Sequence, residues 1–138
     1  MLGINRETDY AGRIVLFFAR QPDGTRSTAQ EVAGICLVPR AIVRRVVTRL
    51  TRAGILTSTR GSGGGISLAR PPVQITLLDV VEAMEGPPAL NICVREPTIC
   101  PLMEQCTVHN AWVRGTELLL DYLRGVNFDW LAQESPAD

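Results

Sequence analysis

The chain has 138 residues, 46% of them apolar, enough for one domain or a domain with a helical extension built on a real core. No apolar run reaches the roughly eighteen residues of a membrane span. The start, Met1 to Arg6, lacks the apolar core of a signal peptide, so a cytoplasmic protein is expected. The net charge is zero, but it is unevenly spread. All 14 basic residues are arginine; residues 20–70 hold nine of them against Asp23 and Glu31, and residues 71–138 hold three against ten acids. A basic module beside an acidic one points to nucleic acid, because phosphate contact is made by one face.

Residues 8–20 read as a helix, with Tyr10, Ile14, Phe17 and Phe18 at helical spacing. Gln21-Pro-Asp-Gly24 is a turn. Ser27 is a good N-cap, and Gln30 three residues on would close a capping box. A short helix from about Thr28 to Gly34 follows. The turn Ile35 to Val38 leads to Pro39, favoured in a first helical turn. The next helix runs to about Ala53. Ile42, Val43, Val46, Val47 and Leu50 line one side of it, and Arg40, Arg44, Arg45, Arg49 and Arg52 the other. Gly54 is its stop.

Two β-runs, Ile55 to Arg60 and Ile66 to Ala69, flank a tip of Gly61-Ser62-Gly63-Gly64-Gly65, which makes a hairpin. Thr76 caps a helix over Leu77 to Met84, and Gly86-Pro87-Pro88 stops it. A cysteine loop follows. A long helix from Thr107 to Arg124 then carries a stripe of Val108, Ala111, Trp112, Leu119 and Tyr122, more suited to a dimer core than to a ligand box. A last short helix holds Phe128, Trp130 and Leu131.

The expected fold is mainly α with a small β-hairpin wing. A winged helix–turn–helix module occupies residues 1–72. A helical part over 73–138 contains the cysteine loop (about 91–106) and a long C-terminal dimerisation helix (about 107–124). The second helix of the pair would enter a major groove, with arginines meeting guanine edges or phosphates. The expected contacts to double-stranded DNA are Ser27, Thr28, Pro39, Arg40, Arg44, Arg45, Arg49, Arg60, Ser62, Gly63 and Gly64.

Three of the four cysteines, Cys93, Cys100 and Cys106, fall within fourteen residues, and the only histidine, His109, follows three residues later. Thiolate and imidazole suit iron–sulfur clusters, zinc and copper(I). Structural zinc sites usually place about two to four residues between neighbouring cysteines. The gaps here are six and five, which better fit a loop around a larger cluster. Cys106 and His109, three apart, would share a helical face. A metal-free thiol switch, with Cys100 and Cys106 joining on oxidation, is an alternative. Cys36, among Ile35, Leu37 and Val38, reads as a small core residue. The glycine tip lacks the lysine of a phosphate loop and continues as a strand, so it is no nucleotide site. An enzyme with Cys93 or Cys106 as nucleophile and His109 as base is the reading from another class. No oxyanion site accompanies that pair, and no enzymatic activity is expected.

The whole pattern resembles the Rrf-two type of bacterial transcriptional regulators, the IscR, NsrR and RirA group. The resemblance rests on Asp9-Tyr10-Ala11, on Arg52-Ala-Gly-Ile-Leu56, on the wing Arg60-Gly-Ser-Gly-Gly-Gly-Ile-Ser-Leu68, on the helix Ile75 to Gly86 and on the three-cysteine loop. It implies a homodimer joined through the long helix and a partly palindromic operator. It also implies a 2Fe–2S or 4Fe–4S cluster on Cys93, Cys100 and Cys106. The fourth ligand it implies is His109, as in IscR-like members, or Asp9 of the partner subunit, as in NsrR-like ones. One extra residue between the first two cysteines sets this loop apart from the IscR pattern.

Overall fold

The fold is described from a computed structural model covering residues 3–136. The outermost ends of the two expected parts, residues 1–2 and 137–138, lie outside the described residues. Helix α1, Arg6–Ala19, starts two residues earlier than its apolar spacing suggests. Asn5 caps it, its side-chain oxygen accepting from the Thr8 N–H at 2.8 Å. Glu7 and Asp9 sit in the first turn, where the helix dipole favours acids. Tyr10, Ala11, Ile14, Val15 and Phe18 are buried along one face.

Helix α2, Ala29–Cys36, corrects the expected cap. Thr28, not Ser27, accepts from the Glu31 N–H, at 3.2 Å. Ser27 is held extended by two backbone hydrogen bonds to Ile66, 3.0 and 2.8 Å, so the helix begins one residue later. It also runs further, through Cys36. The expected four-residue turn contracts onto Leu37, which closes α2 in the left-handed conformation at φ 54, ψ 47. That conformation costs a side-chain-bearing residue about 1–2 kcal/mol.

Helix α3, Arg40–Arg52, follows Pro39 directly. It buries Val43, Val46, Val47 and Leu50, and Gly54 ends it at φ 74. Strands β1, Leu56–Thr59, and β2, Gly65–Leu68, pair antiparallel with Leu56 opposite Leu68 and Thr59 opposite Gly65. Leu56 and Ile66 point inward; the Thr57 and Ser67 hydroxyls meet at 2.9 Å outside. At Gly64 a Cβ would lie 2.5 Å from the Thr59 carbonyl oxygen, so the tip admits only glycine there.

A 3-10 turn at Pro72–Gln74 leads to α4, Leu77–Glu85. Its capping box joins the Thr76 hydroxyl to the Asp79 N–H (3.1 Å) and the Asp79 carboxylate to the Thr76 N–H (2.9 Å). Inside the cysteine loop lie a one-turn helix, α5, Ile92–Arg95, and a 3-10 turn, Met103–Gln105. The long helix α6 spans Thr107–Gly125 and α7 spans Phe128–Gln133, capped by Asn127.

The two parts share one core. Ile75, Val80, Met84 and Phe128 pack in the same cluster as the inner residues of α1, α2, α3 and the wing. Backbone bonds from Leu77 to Val126 (2.8 Å) and from Phe128 to Ile75 (2.9 Å) tie the start of α4 to the end of α6. Phe128 is 1% exposed. Phe128→Ala should therefore destabilise the whole fold by about 3–5 kcal/mol, read as a single shifted denaturant midpoint. An unaltered midpoint would mean that α7 contributes nothing to the core.

The exposed side of α3 is fastened to its neighbours. Arg45 forms a two-point ion pair with Glu7 of α1, through Nη2 to Oε1 and through Nε to Oε2 at 3.3 Å. The Arg45 hydrogen bond holds the Glu7 carboxyl below its ordinary range. The folded chain thus takes up that proton less readily than the unfolded chain. The stabilisation is full above the ordinary carboxylate range and fades as pH falls through the lowered value. Glu7→Gln should remove this component of the acid-side loss of stability, measured by thermal melts between pH 7 and pH 3. Parallel curves for the two proteins would exclude it.

Candidate DNA interface and cysteine loop

The buried valines of α3 fix which of its arginines face outward freely. Thr28, Arg44, Thr48, Ser58, Arg60 and Gly64 line one groove of ≈ 660 Å³ between the start of α2, the outer side of α3 and the wing. Arg40, Arg44 and Arg60 are exposed and form no ion pair among the described residues. Arg45 is engaged by Glu7, and Arg49 donates to the Met84 carbonyl of α4 at 3.0 Å. The five arginines of α3 thus divide. Arg40, Arg44 and Arg52 are exposed without an ion pair among the described residues, Arg44 beside the wing, while Arg45 and Arg49 fasten the helix to α1 and α4.

Ser27 is set apart from the other expected contacts, because it is buried beneath the wing. Ser62 and Gly63 are exposed at the wing tip. A residue that sequence reasoning missed organises that tip: Arg26 donates to the Gly63 carbonyl at 2.5 Å. Its position beside the Ser27–Thr28 helix start was visible, but its partner lies 37 residues away.

The cysteine loop is anchored at its start. The Leu90 N–H donates to the Thr116 hydroxyl of α6 at 3.1 Å, and Thr116 donates to the Trp112 carbonyl at 2.8 Å. Leu90 crosses α6 at Gly115, where a Cβ would come within 2.6 Å of the leucine Cδ1. Cys93 lies on α5, Cys100 in the following loop, Cys106 at the N-cap of α6 and His109 in its first turn. All four are half-buried.

The structure brings two of these donors together. His109 Nδ1 lies 3.2 Å from Cys93 Sγ. Cys106, expected to share a face with His109, is the N-cap of α6, with extended dihedrals φ −92 and ψ 103, three residues before His109. All four cysteines are free thiols. Among the described residues, no three histidine, cysteine or acidic side chains meet in a metal-holding group. The donor chemistry nonetheless fits an iron–sulfur cluster: three thiols and an imidazole, partly exposed, on one short segment. Asp9, on the exposed side of α1, is ion-paired with Arg13 at 2.8 Å. Cys36 is the core residue expected; burial pushes its thiol up from the ordinary value.

Helix α6 has two apolar sides. Thr116 and Leu123 are buried against the rest of the chain. Val108, Trp112, Leu118, Leu119 and Tyr122 are exposed. No helix of the described residues is long and apolar enough to cross a membrane.

Comparison with known proteins agrees with this architecture. The family model described as "Rrf2: Iron-dependent Transcriptional regulator" matches residues 4–134. Protein aau3 of Rhizobium meliloti (strain 1021) is 31% identical over 134 residues, covering 96% of this chain and 86% of that protein. The solved structure of CymR (YrzC), the global cysteine regulator of B. subtilis, superposes with a TM-score of 0.77 at 21% identity over 99% of this chain and 100% of that one. T. potens IscR gives 0.74 at 18% identity, over 99% and 94%. At such identities the two structures speak for the winged-helix fold alone. The family match, spanning nearly all of the chain, establishes that this protein belongs to the Rrf2 family of DNA-binding transcriptional regulators.

Proposed function

We propose that the chain acts in the cytoplasm as a homodimer whose hold on a DNA operator is controlled by an iron–sulfur cluster. Cys93, Cys100 and Cys106 hold the cluster, with His109 as the fourth ligand. The observation that carries this reading is the 3.2 Å approach of His109 to Cys93 across sixteen residues of chain. That contact joins the histidine to the cysteine loop. Asp9 is accounted for by Arg13 within its own helix, which favours His109. When bound, the cluster supplies a large local charge and a cross-link of the loop.

The protein residues translate that state. The loop is tied to α6 through Leu90 and Thr116. The exposed apolar side of α6 pairs with a second copy, so the inclination of α6 sets the separation of the two α3 helices. Operator half-sites lie about 34 Å apart, one duplex turn, which makes affinity sensitive to small changes in that separation. Arg40 and Arg44 face the major groove, and Arg60 with the Ser62–Gly64 tip faces the backbone beside it. The Cys93–His109 pair is assigned to ligation, so no enzymatic turnover is expected.

The first test is protein purified without oxygen. A brown protein with matched iron and acid-labile sulfide is expected, colourless after Cys93→Ser, Cys100→Ser or Cys106→Ser. His109→Ala should lose the cluster, whereas Asp9→Ala should keep it; the reverse would move the fourth ligand to the partner subunit's Asp9. A colourless protein lacking iron after reconstitution would overturn the cluster. Zinc found in its place would mark a structural metal. A metal-free thiol switch is the second reading, favoured by the four free cysteines and by the separation of Cys100 from the Cys93–His109 pair. It would be recognised by a Cys100–Cys106 disulfide that abolishes DNA binding.

The division of the arginines is tested by salt dependence. Arg44→Ala should weaken operator binding and lower the log–log salt slope by about one. Arg45→Ala should leave the slope unchanged and lower the unfolding midpoint instead. Equal effects of the two would mean that the Glu7 pair does not hold in solution.

A further inference from the structure

Leu37 is the only non-glycine residue with a positive φ among the described residues. It is also 78% exposed, more than any other large apolar residue among the described residues. Both features oppose folding. A left-handed residue with a Cβ is crowded by its own backbone, and an exposed leucine leaves apolar surface in water. Glycine would satisfy the same turn without either penalty. The next residue, Val38, is buried and anchors the turn, which leaves Leu37 directed outward. Folding alone therefore gives no reason for a leucine at this position, and residues held against their conformational preference cluster where function uses them.

Its location sets what lies within reach of the side chain. Leu37 is three Cα–Cα links before Arg40, the first residue of α3, so their Cα atoms are at most about 11 Å apart. The N-terminal residues of a recognition helix are those that reach base edges. We propose that Leu37 makes an apolar contact with the operator duplex beside Arg40. The apolar groups a duplex offers there are the thymine methyl in the major groove and the deoxyribose at its wall. This inference rests on the DNA-binding reading and adds to it a contact made by a residue outside both helices of the pair.

The test uses the wild-type protein to select duplexes from a random-sequence pool, then compares Leu37→Gly, Leu37→Asn and Leu37→Met on the selected duplex. Gly and Asn both tolerate the left-handed turn. They should keep or raise the thermal midpoint while weakening binding about tenfold, with Met close to wild type. The salt slope should stay that of the wild type, because an apolar contact releases no counterions. Replacing thymines of the duplex by uracil separates the two sources. A wild-type loss equal to that of Leu37→Gly assigns the thymine methyl; undiminished wild-type binding assigns the deoxyribose. Leu37→Gly binding as tightly as wild type would overturn the contact and leave the leucine to a protein partner. Failure of the wild type to enrich any duplex would overturn the DNA-binding reading itself, and the contact with it.

Discussion

The valine face of α3 is the constraint on which the rest of the molecule depends. Val43, Val46, Val47 and Leu50 sit at the centre of the core, and α1, α2, α4 and β1 all pack against this one helix. A helix buried along one side and charged along the other has a fixed rotation about its axis. Turning it by one residue would bury arginine. The arginines beside the wing are thus positioned by hydrocarbon on the opposite side, at a strength that no exposed ion pair could match.

Around that helix, charge is used in two ways. Arg45 and Arg49 act as fasteners between elements, one to a carboxylate and one to a backbone carbonyl. Arg40, Arg44 and Arg60 are left without acidic partners among the described residues, in a module where acids are scarce. The acids are concentrated after residue 70, on the part that carries the cysteines and α6. The acidic surface there repels phosphate, whereas the wing and α3 carry the basic excess.

Most of the fold was legible because its signals are local. The apolar spacing of α1 and α3, the Thr76 cap, the Gly54 and Gly86 stops and the glycine tip between two β-runs each depend on a few neighbouring residues. The errors arose where a distant partner decides. Ser27 looked like a cap, but pairing with Ile66 holds it extended. The one-turn α5 is too short for periodicity to register, and the docking of Leu90 onto Gly115 joins positions 25 apart. The donors of the cysteine loop were legible as a set. That His109 would meet Cys93 was not, because the two lie sixteen residues apart and are brought together by the packing of α5 on α6.

The Leu90 crossing gives α6 a mechanical character. Besides its packing on α4 and α5, the helix has two firm holds, near its middle by Leu90 against Gly115 and Thr116, and at its end by Val126 against Leu77. From Thr107 to Thr116 an arm of about 14 Å projects beyond the nearer hold, bearing His109 and Trp112. A push of about 1 Å at its tip is a rotation of about 4° about that fulcrum. The far end is clamped to the same core as α3, so the rotation is passed to whatever grips the outer side of α6. A displacement of the cysteine loop too small to unfold anything would thus tilt the exposed apolar side of α6, with Val108, Trp112 and Leu119, relative to the core.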